Sequence, residues 1–188
     1  MDFRTIIKEH QQVVELLLDQ CIPAIESIAQ KCSEALKNGH MIFLCGNGGS
    51  AADCQHIAAE FVGRFVAERR GLPAIALTTD TSILTAVGND YGYEQIFARQ
   101  VEALVHEGDV VIGISTSGSS KNVVQAFKAA KEKGAVLIGM TGAKKAEIAE
   151  LADVCLQVPS SVTARVQECH ILVGHMLCAY IDEVIARE

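Results

Sequence analysis

The sequence predicts an α/β fold: a doubly wound parallel sheet of five strands flanked by helices, with an N-terminal helical extension. Three observations carry this. Five short, continuous apolar runs occur at 41–45, 74–77, 110–114, 136–140 and 154–158. Runs of that length without alternation fit strands covered on both faces, as in parallel sheets. Segments of helical character lie between them, at about 51–67, 81–87, 93–106, 121–133 and 145–152, with a last one at about 163–186. Strand and helix thus alternate five times, the pattern of βαβ units. Finally, no strand precedes residue 41. Ile6, Val13, Val14, Leu17, Leu18 and Cys21 recur at helical spacing, and Pro23 marks a break or a new first turn. Ile25, Ile28, Cys32 and Leu36 continue a second helix until Asn38-Gly39 stops it. The 188 residues fit one domain, 1–188. The apolar stripes of helices 1–38 need cover from the domain or from another subunit, and an oligomer interface is the expectation.

Composition excludes several classes. Sixteen Lys and Arg against 23 Asp and Glu give a net charge of −7, which argues against a general nucleic-acid binder with a basic face. Hydrophobic residues make up 49%, enough for a packed core. No apolar run reaches membrane-spanning length, and the first residues lead into charge rather than an apolar leader. The seven cysteines are odd in number and none forms a C-x-x-C pair, so buried free thiols in a cytoplasmic protein are expected.

Two loops stand out. The first strand runs into Gly46-Asn47-Gly48-Gly49-Ser50 and the third into Ser115-Thr116-Ser117-Gly118-Ser119-Ser120, and each loop opens a helix. Ligands of open α/β sheets bind at the carboxyl ends of strands, and helix N-termini present N–H groups and a positive dipole end. Hydroxyls beside such N–H groups make a neutral, donor-rich cradle suited to a phosphomonoester. Ordinary small-residue turns are the competing reading for either loop alone. Gly46-x-Gly48-x-x-Ala51 also fits a dinucleotide fingerprint formally. That reading needs an acidic residue about 20 positions on, and Asp80 is about 30 on.

On the helix after the first loop, His56 and Glu60 are four apart and share a face. On the last helix Gln167 and His175 are eight apart, about 80° around the axis. Two imidazoles and a carboxylate suit acid/base work near neutral pH, and with an amide oxygen they also make a zinc ligand set. A surface i,i+4 pair is the competing reading for His56 and Glu60. His175 and the weaker candidate His170 sit among apolar residues, where a satisfied core histidine is the alternative.

Together, 45–53, His56…Glu60, Val87-Gly88-Asn89-Asp90, 113–118 and Arg165-Val166-Gln167-Glu168 resemble the SIS (sugar isomerase) family over nearly the whole chain. The resemblance implies a flavodoxin-like sheet and a homotetramer with active sites at subunit interfaces. It implies isomerisation of sedoheptulose 7-phosphate to D-glycero-D-manno-heptose 7-phosphate, with a phosphorylated sugar rather than nucleic acid or membrane as the partner. Ser115, Thr116, Ser117 and Ser120 would hold the phosphate. Asn47, Gly48, Gly49, Ser50, Asn89, Asp90, Glu60 and Gln167 would line the sugar site. Glu60 would be the base and His175 a second acid/base group. His56, Glu60, Gln167 and His175 would bind one zinc per subunit, and Arg64 would stabilise charge near Glu60. Residues 79–86 and 159–168 also resemble a non-enzymatic SIS protein that binds the replication initiator. That relative lacks the acid and histidine found here at positions 60 and 175. Other SIS enzymes, a pentose phosphate isomerase or an amino-sugar phosphate etherase, are further alternatives.

Overall fold

The computed structural model describes residues 2–186. Helix α1 (Phe3–Gln20) starts where Asp2 accepts the Arg4 N–H at 3.0 Å. Helix α2 (Ile22–Lys37) follows at once, with Pro23 in its first turn, where a missing N–H costs nothing. The chain then runs β1 (Ile42–Gly46), α3 (Gly49–Val62), β2 (Ala74–Ala76), α4 (Thr81–Tyr91), a 3₁₀ turn (Tyr93–Gln95) and α5 (Ala98–Leu104). It closes with β3 (Val110–Ser115), α6 (Lys121–Glu132), β4 (Val136–Thr141), α7 (Glu147–Leu151), β5 (Val154–Gln157) and α8 (Thr163–Ile185).

The five strands form one parallel sheet in the order β2-β1-β3-β4-β5. Side chains alternate between its two faces. Ile42, Leu44, Val110, Ile112, Ile138, Met140 and Leu156 pack beneath α1, α2, α3 and α8. Phe43, Cys45, Val111 and Leu137 face the other way, against α5, α6 and α7. Strand order reverses between β1 and β3, where Cys45 pairs with Gly113 and Gly46 with Ile114. Both small-residue loops therefore leave the sheet at its switch point, where open α/β sheets bind ligands.

Three helix boundaries differ from the expectation. The helix expected over 51–67 ends at Val62, because the Arg69 guanidinium donates to the carbonyls of Glu60 (2.9 Å), Phe61 (2.8 Å) and Gly63 (3.0 Å). Those carbonyls have lost their helical partners, and the side chain satisfies them. The helix expected over 81–87 continues to Tyr91 and stops at Gly92, whose φ of 94° favours glycine. The segment 93–106 is split into the 3₁₀ turn and α5. Its adjacent Ile96 and Phe97 are both buried, whereas a regular helix would point them about 100° apart.

The seven cysteines are free thiols. Burial pushes the thiols of Cys32, Cys45 and Cys178 up to about 12. Among the described residues no helix is long and apolar enough to cross a membrane.

Candidate active site

Loop one turns on Gly48, at φ 56°, and leads into α3 at Gly49. The Gln167 amide of α8 lies where a Cβ on residue 49 would stand, so a larger residue there would displace that side chain. The Asn47 side chain makes three hydrogen bonds. Its Nδ2 donates to Asn122 Oδ1 at 2.9 Å, and its Oδ1 accepts from Asn122 Nδ2 at 2.8 Å and from the Tyr93 hydroxyl at 2.9 Å. Asn47 thus ties loop one to the first turn of α6. Asn122 and Tyr93 had no local signature in the sequence that could have singled them out.

Loop two gathers hydroxyls. Ser115 Oγ lies 2.9 Å from Ser120 Oγ and 3.3 Å from Ser117 Oγ, and it accepts the Gly118 N–H at 3.1 Å. Ser120 occupies the N-cap of α6 without its side chain capping the helix. Cavities flank the loop on two sides. One of about 230 Å³ is lined by Asn47, Tyr93, Glu94, Ser120, Lys121 and Asn122. Another of about 100 Å³ is lined by Thr116, Ser117, Lys144, Ser160, Ser161 and Thr163, with Ala143. A larger cavity of about 510 Å³ between α1 and α8 contains none of the expected site residues, so volume is a poor guide here.

Helices α3 and α8 pack together and bring the acid/base groups face to face. His56 Nε2 lies 2.9 Å from His175 Nε2 and 3.6 Å from Glu60 Oε1. The imidazoles meet edge-on at 74°, and the Phe65 ring stacks on His175 at 5.4 Å and 22°. At 2.9 Å one ring must donate its N–H to the other, so the pair holds at least one neutral imidazole. The His56–Glu60 pair predicted as an i,i+4 contact is therefore part of a three-member cluster.

Gln167 does not join that cluster. Its Nε2 donates to Asp53 Oδ2 at 3.2 Å. Asp53 is buried, and burial raises its carboxyl pKa against the opposing effects of the Gln167 amide and His56. Sequence reading missed it, although Asp53 sits three residues before His56 on the helix. Asn89 and Asp90 are exposed near the end of α4, and Asn89 Nδ2 donates to Asp90 Oδ1 at 2.8 Å. No side-chain hydrogen bond among the described residues joins them to either loop or to the histidines. Arg64 pairs with Glu68 at 3.4 Å rather than approaching Glu60. His170 is the core histidine: fully buried, with Nε2 3.1 Å from Thr141 O.

The donor set of His56, Glu60 and His175 fits zinc in kind. Two nitrogens on one tetrahedral zinc sit roughly 3.3 Å apart, so the 2.9 Å pair would have to open by a few tenths of an ångström. Gln167 would ligate through Oε1, which its Nε2–Asp53 hydrogen bond leaves free. Among the described residues no group of three His, Cys, Asp or Glu side chains is disposed as a ready-made metal cage.

Behind the cluster lies a buried ion pair, Arg69 Nε to Asp182 Oδ1 at 2.7 Å, with both side chains almost fully covered. Asp182 also accepts the N–H groups of Val66 (2.7 Å) and Ala67 (2.9 Å). Nothing local in the sequence marks a contact spanning 113 residues.

The pattern of the SIS domain family matches residues 7–142. The phosphoheptose isomerase of Aneurinibacillus thermoaerophilus is 54% identical over 187 residues, covering 96% of this chain and 94% of that one. That of a Nitratiruptor species is 57% identical over 175 residues, covering 93% and 94%. Among solved structures, the phosphoheptose isomerase of Neisseria gonorrhoeae superposes with a TM-score of 0.91 at 44% identity, covering 96% of each chain. The one from Francisella tularensis superposes with a TM-score of 0.93 at 38% identity, again covering 96% of each. The chain belongs to the SIS domain family and, within it, to the group of enzymes named phosphoheptose isomerases.

Proposed function

We propose that the protein is a sugar-phosphate isomerase that converts sedoheptulose 7-phosphate to D-glycero-D-manno-heptose 7-phosphate, the first step toward nucleotide-activated heptose. The observation that carries the reading is the convergence of His56, His175 and Glu60 where α3 and α8 pack together, in a fold that also carries the hydroxyl-lined loop two. Relatives more than half identical and named phosphoheptose isomerase support the substrate class.

In this reading the phosphate docks on loop two, where the hydroxyls of Ser115, Thr116, Ser117 and Ser120 donate to its oxygens. Asn47, Gly48, Gly49 and Ser50 border the sugar from loop one, with Gln167 across from them. Asn89 and Asp90 complete the sugar site in the assembled oligomer. Glu60 removes a proton from C1 of the ketose, and the C2 carbonyl oxygen gains a proton from His175. The resulting cis-enediol has hydroxyls on both carbons. Return of a proton to C2 and loss of the O1 hydroxyl proton give the aldehyde at C1. A well-placed acid or base contributes about 10²–10⁴-fold. A zinc ion held by His56, Glu60, Gln167 and His175 would supply Lewis-acid polarisation of the substrate oxygens, with the Glu60 carboxylate released from the metal when it acts as base. The outward apolar side chains of α1, Phe3, Ile7 and Leu18, suit a buried face in a cytoplasmic homotetramer.

Incubating the purified protein with sedoheptulose 7-phosphate and following the anomeric proton of an aldose product by NMR tests the reading. Turnover is expected. No turnover of this sugar alongside turnover of arabinose 5-phosphate would move the enzyme to a pentose substrate. No turnover of either would leave a binding protein.

A further inference from the structure

Functional imidazoles are usually oriented by a hydrogen bond on the ring nitrogen that does not do the chemistry. His175 lacks one. Its Nε2 faces His56, and among the described residues no protein group hydrogen-bonds its Nδ1. What fixes the ring is packing: an edge-on contact with His56 and the face of Phe65, stacked at 5.4 Å and 22°.

Phe65 itself packs against the main core from an irregular segment that the buried ion pair ties down. Asp182 accepts the N–H groups of the two residues that follow Phe65, at 2.7 and 2.9 Å. Arg69 binds the same carboxylate at 2.7 Å and donates to the carbonyls of Glu60, Phe61 and Gly63. One ion pair therefore fastens the end of α3, which carries Glu60, to the segment that carries Phe65 and to α8, which carries His175. Asp182 stands seven residues beyond His175, two helical turns along the same face.

We propose that Phe65 is a positioning residue for His175: its ring, locked by the Arg69–Asp182 pair, sets the plane of the imidazole and aims Nε2 into the site. The inference rests on the acid/base reading of His175. Phe65 need not touch substrate, so its removal should alter turnover and leave phosphate binding alone.

The test combines kinetics and crystallography on Phe65→Leu and Phe65→Tyr in the full chain, with Phe65→Met as a second variant if Phe65→Leu does not fold. Phe65→Leu (or Phe65→Met) is expected to lower kcat at least tenfold with KM within threefold. Phe65→Tyr, which keeps the stacking face, should restore kcat to within threefold of the parent. In crystals of the aliphatic variant the His175 imidazole should be rotated or disordered, with the Arg69–Asp182 pair intact. An unchanged kcat, or an imidazole in its original plane, overturns the proposal. If the parent does not isomerise the sugar phosphate, the functional reading fails, and the orientation of the His175 ring alone then decides whether Phe65 positions it.

Discussion

The Nε2 atoms of His56 and His175 lie 2.9 Å apart although 119 residues separate them in the chain. The contact exists because α3 and α8 pack side by side on one face of the sheet, each presenting one imidazole to the same point. Glu60, one turn along α3, adds a carboxylate at 3.6 Å from His56.

From that convergence, Glu60→Gln and His175→Gln should each cut kcat by about 10²–10⁴-fold while far-UV circular dichroism and oligomer size stay unchanged. Both changes keep polarity and remove an ionisable group, and their effects should be strongly non-additive, since the two groups serve one enediol. Glu60→Gln should also stop exchange of the substrate C1 proton with solvent deuterium. Near-parental isomerisation by Glu60→Gln would remove the carboxylate from the chemistry.

Loop two predicts a different signature. Ser115 Oγ is bonded to the hydroxyls of both Ser117 and Ser120, so the three act as one cradle. Ser117→Ala with Ser120→Ala should raise KM at least tenfold and change kcat less, because each charge-assisted hydrogen bond to phosphate contributes about 1.5–3 kcal/mol. Steady-state kinetics with phosphorylated and dephosphorylated sugar separates the two parameters, and an unaltered KM excludes this loop from phosphate binding.

Metal content is a third check. Protein purified without chelator should carry zinc by elemental analysis, and His56→Ala should lower the amount. Zinc-soaked crystals should show the imidazoles of His56 and His175 moved apart and the Gln167 amide oxygen directed at the metal. Crystals without metal at these four residues contradict the ligand assignment.

His170 predicts a pH dependence of stability. Burial pulls its pKa down to about 4, against a smaller upward effect of its hydrogen bond to Thr141 O. In the unfolded chain the ring takes its proton near pH 6.5. The folded pKa is the lower of the two, so the contribution is complete above about pH 6.5 and is lost as pH falls toward 4. The amount at stake is on the order of 3 kcal/mol. Urea unfolding at several pH values should show the parent losing more stability than His170→Leu over that interval. Parallel losses in the two proteins would rule this out.

Much of this was legible in the sequence because it is local. The five apolar runs, Pro23 in the first turn of α2, the two small-residue loops and the His56–Glu60 spacing all express short-range rules, and each reappears in the structure. What escaped depends on residues far apart. The carbonyls at the end of α3 are satisfied by Arg69, which Asp182 holds from the far end of the chain. Asn47, expected to line the sugar site, pairs with Asn122, 75 residues away, through a contact that the β1–β3 neighbourhood creates. Asp53 and Gln167 find each other across 114 residues in the same way.

The thiols carry a practical consequence. Six of the seven cysteines are buried, and the thiol pKa is raised at each of the seven, to about 12 at three of them. Alkylating reagents attack the thiolate, which at neutral pH is almost absent from such a set. A single cysteine placed on an exposed helix face would therefore react with maleimide far ahead of the native seven. Spectroscopic probes can then be attached one at a time to the folded protein without first stripping its core of sulfur.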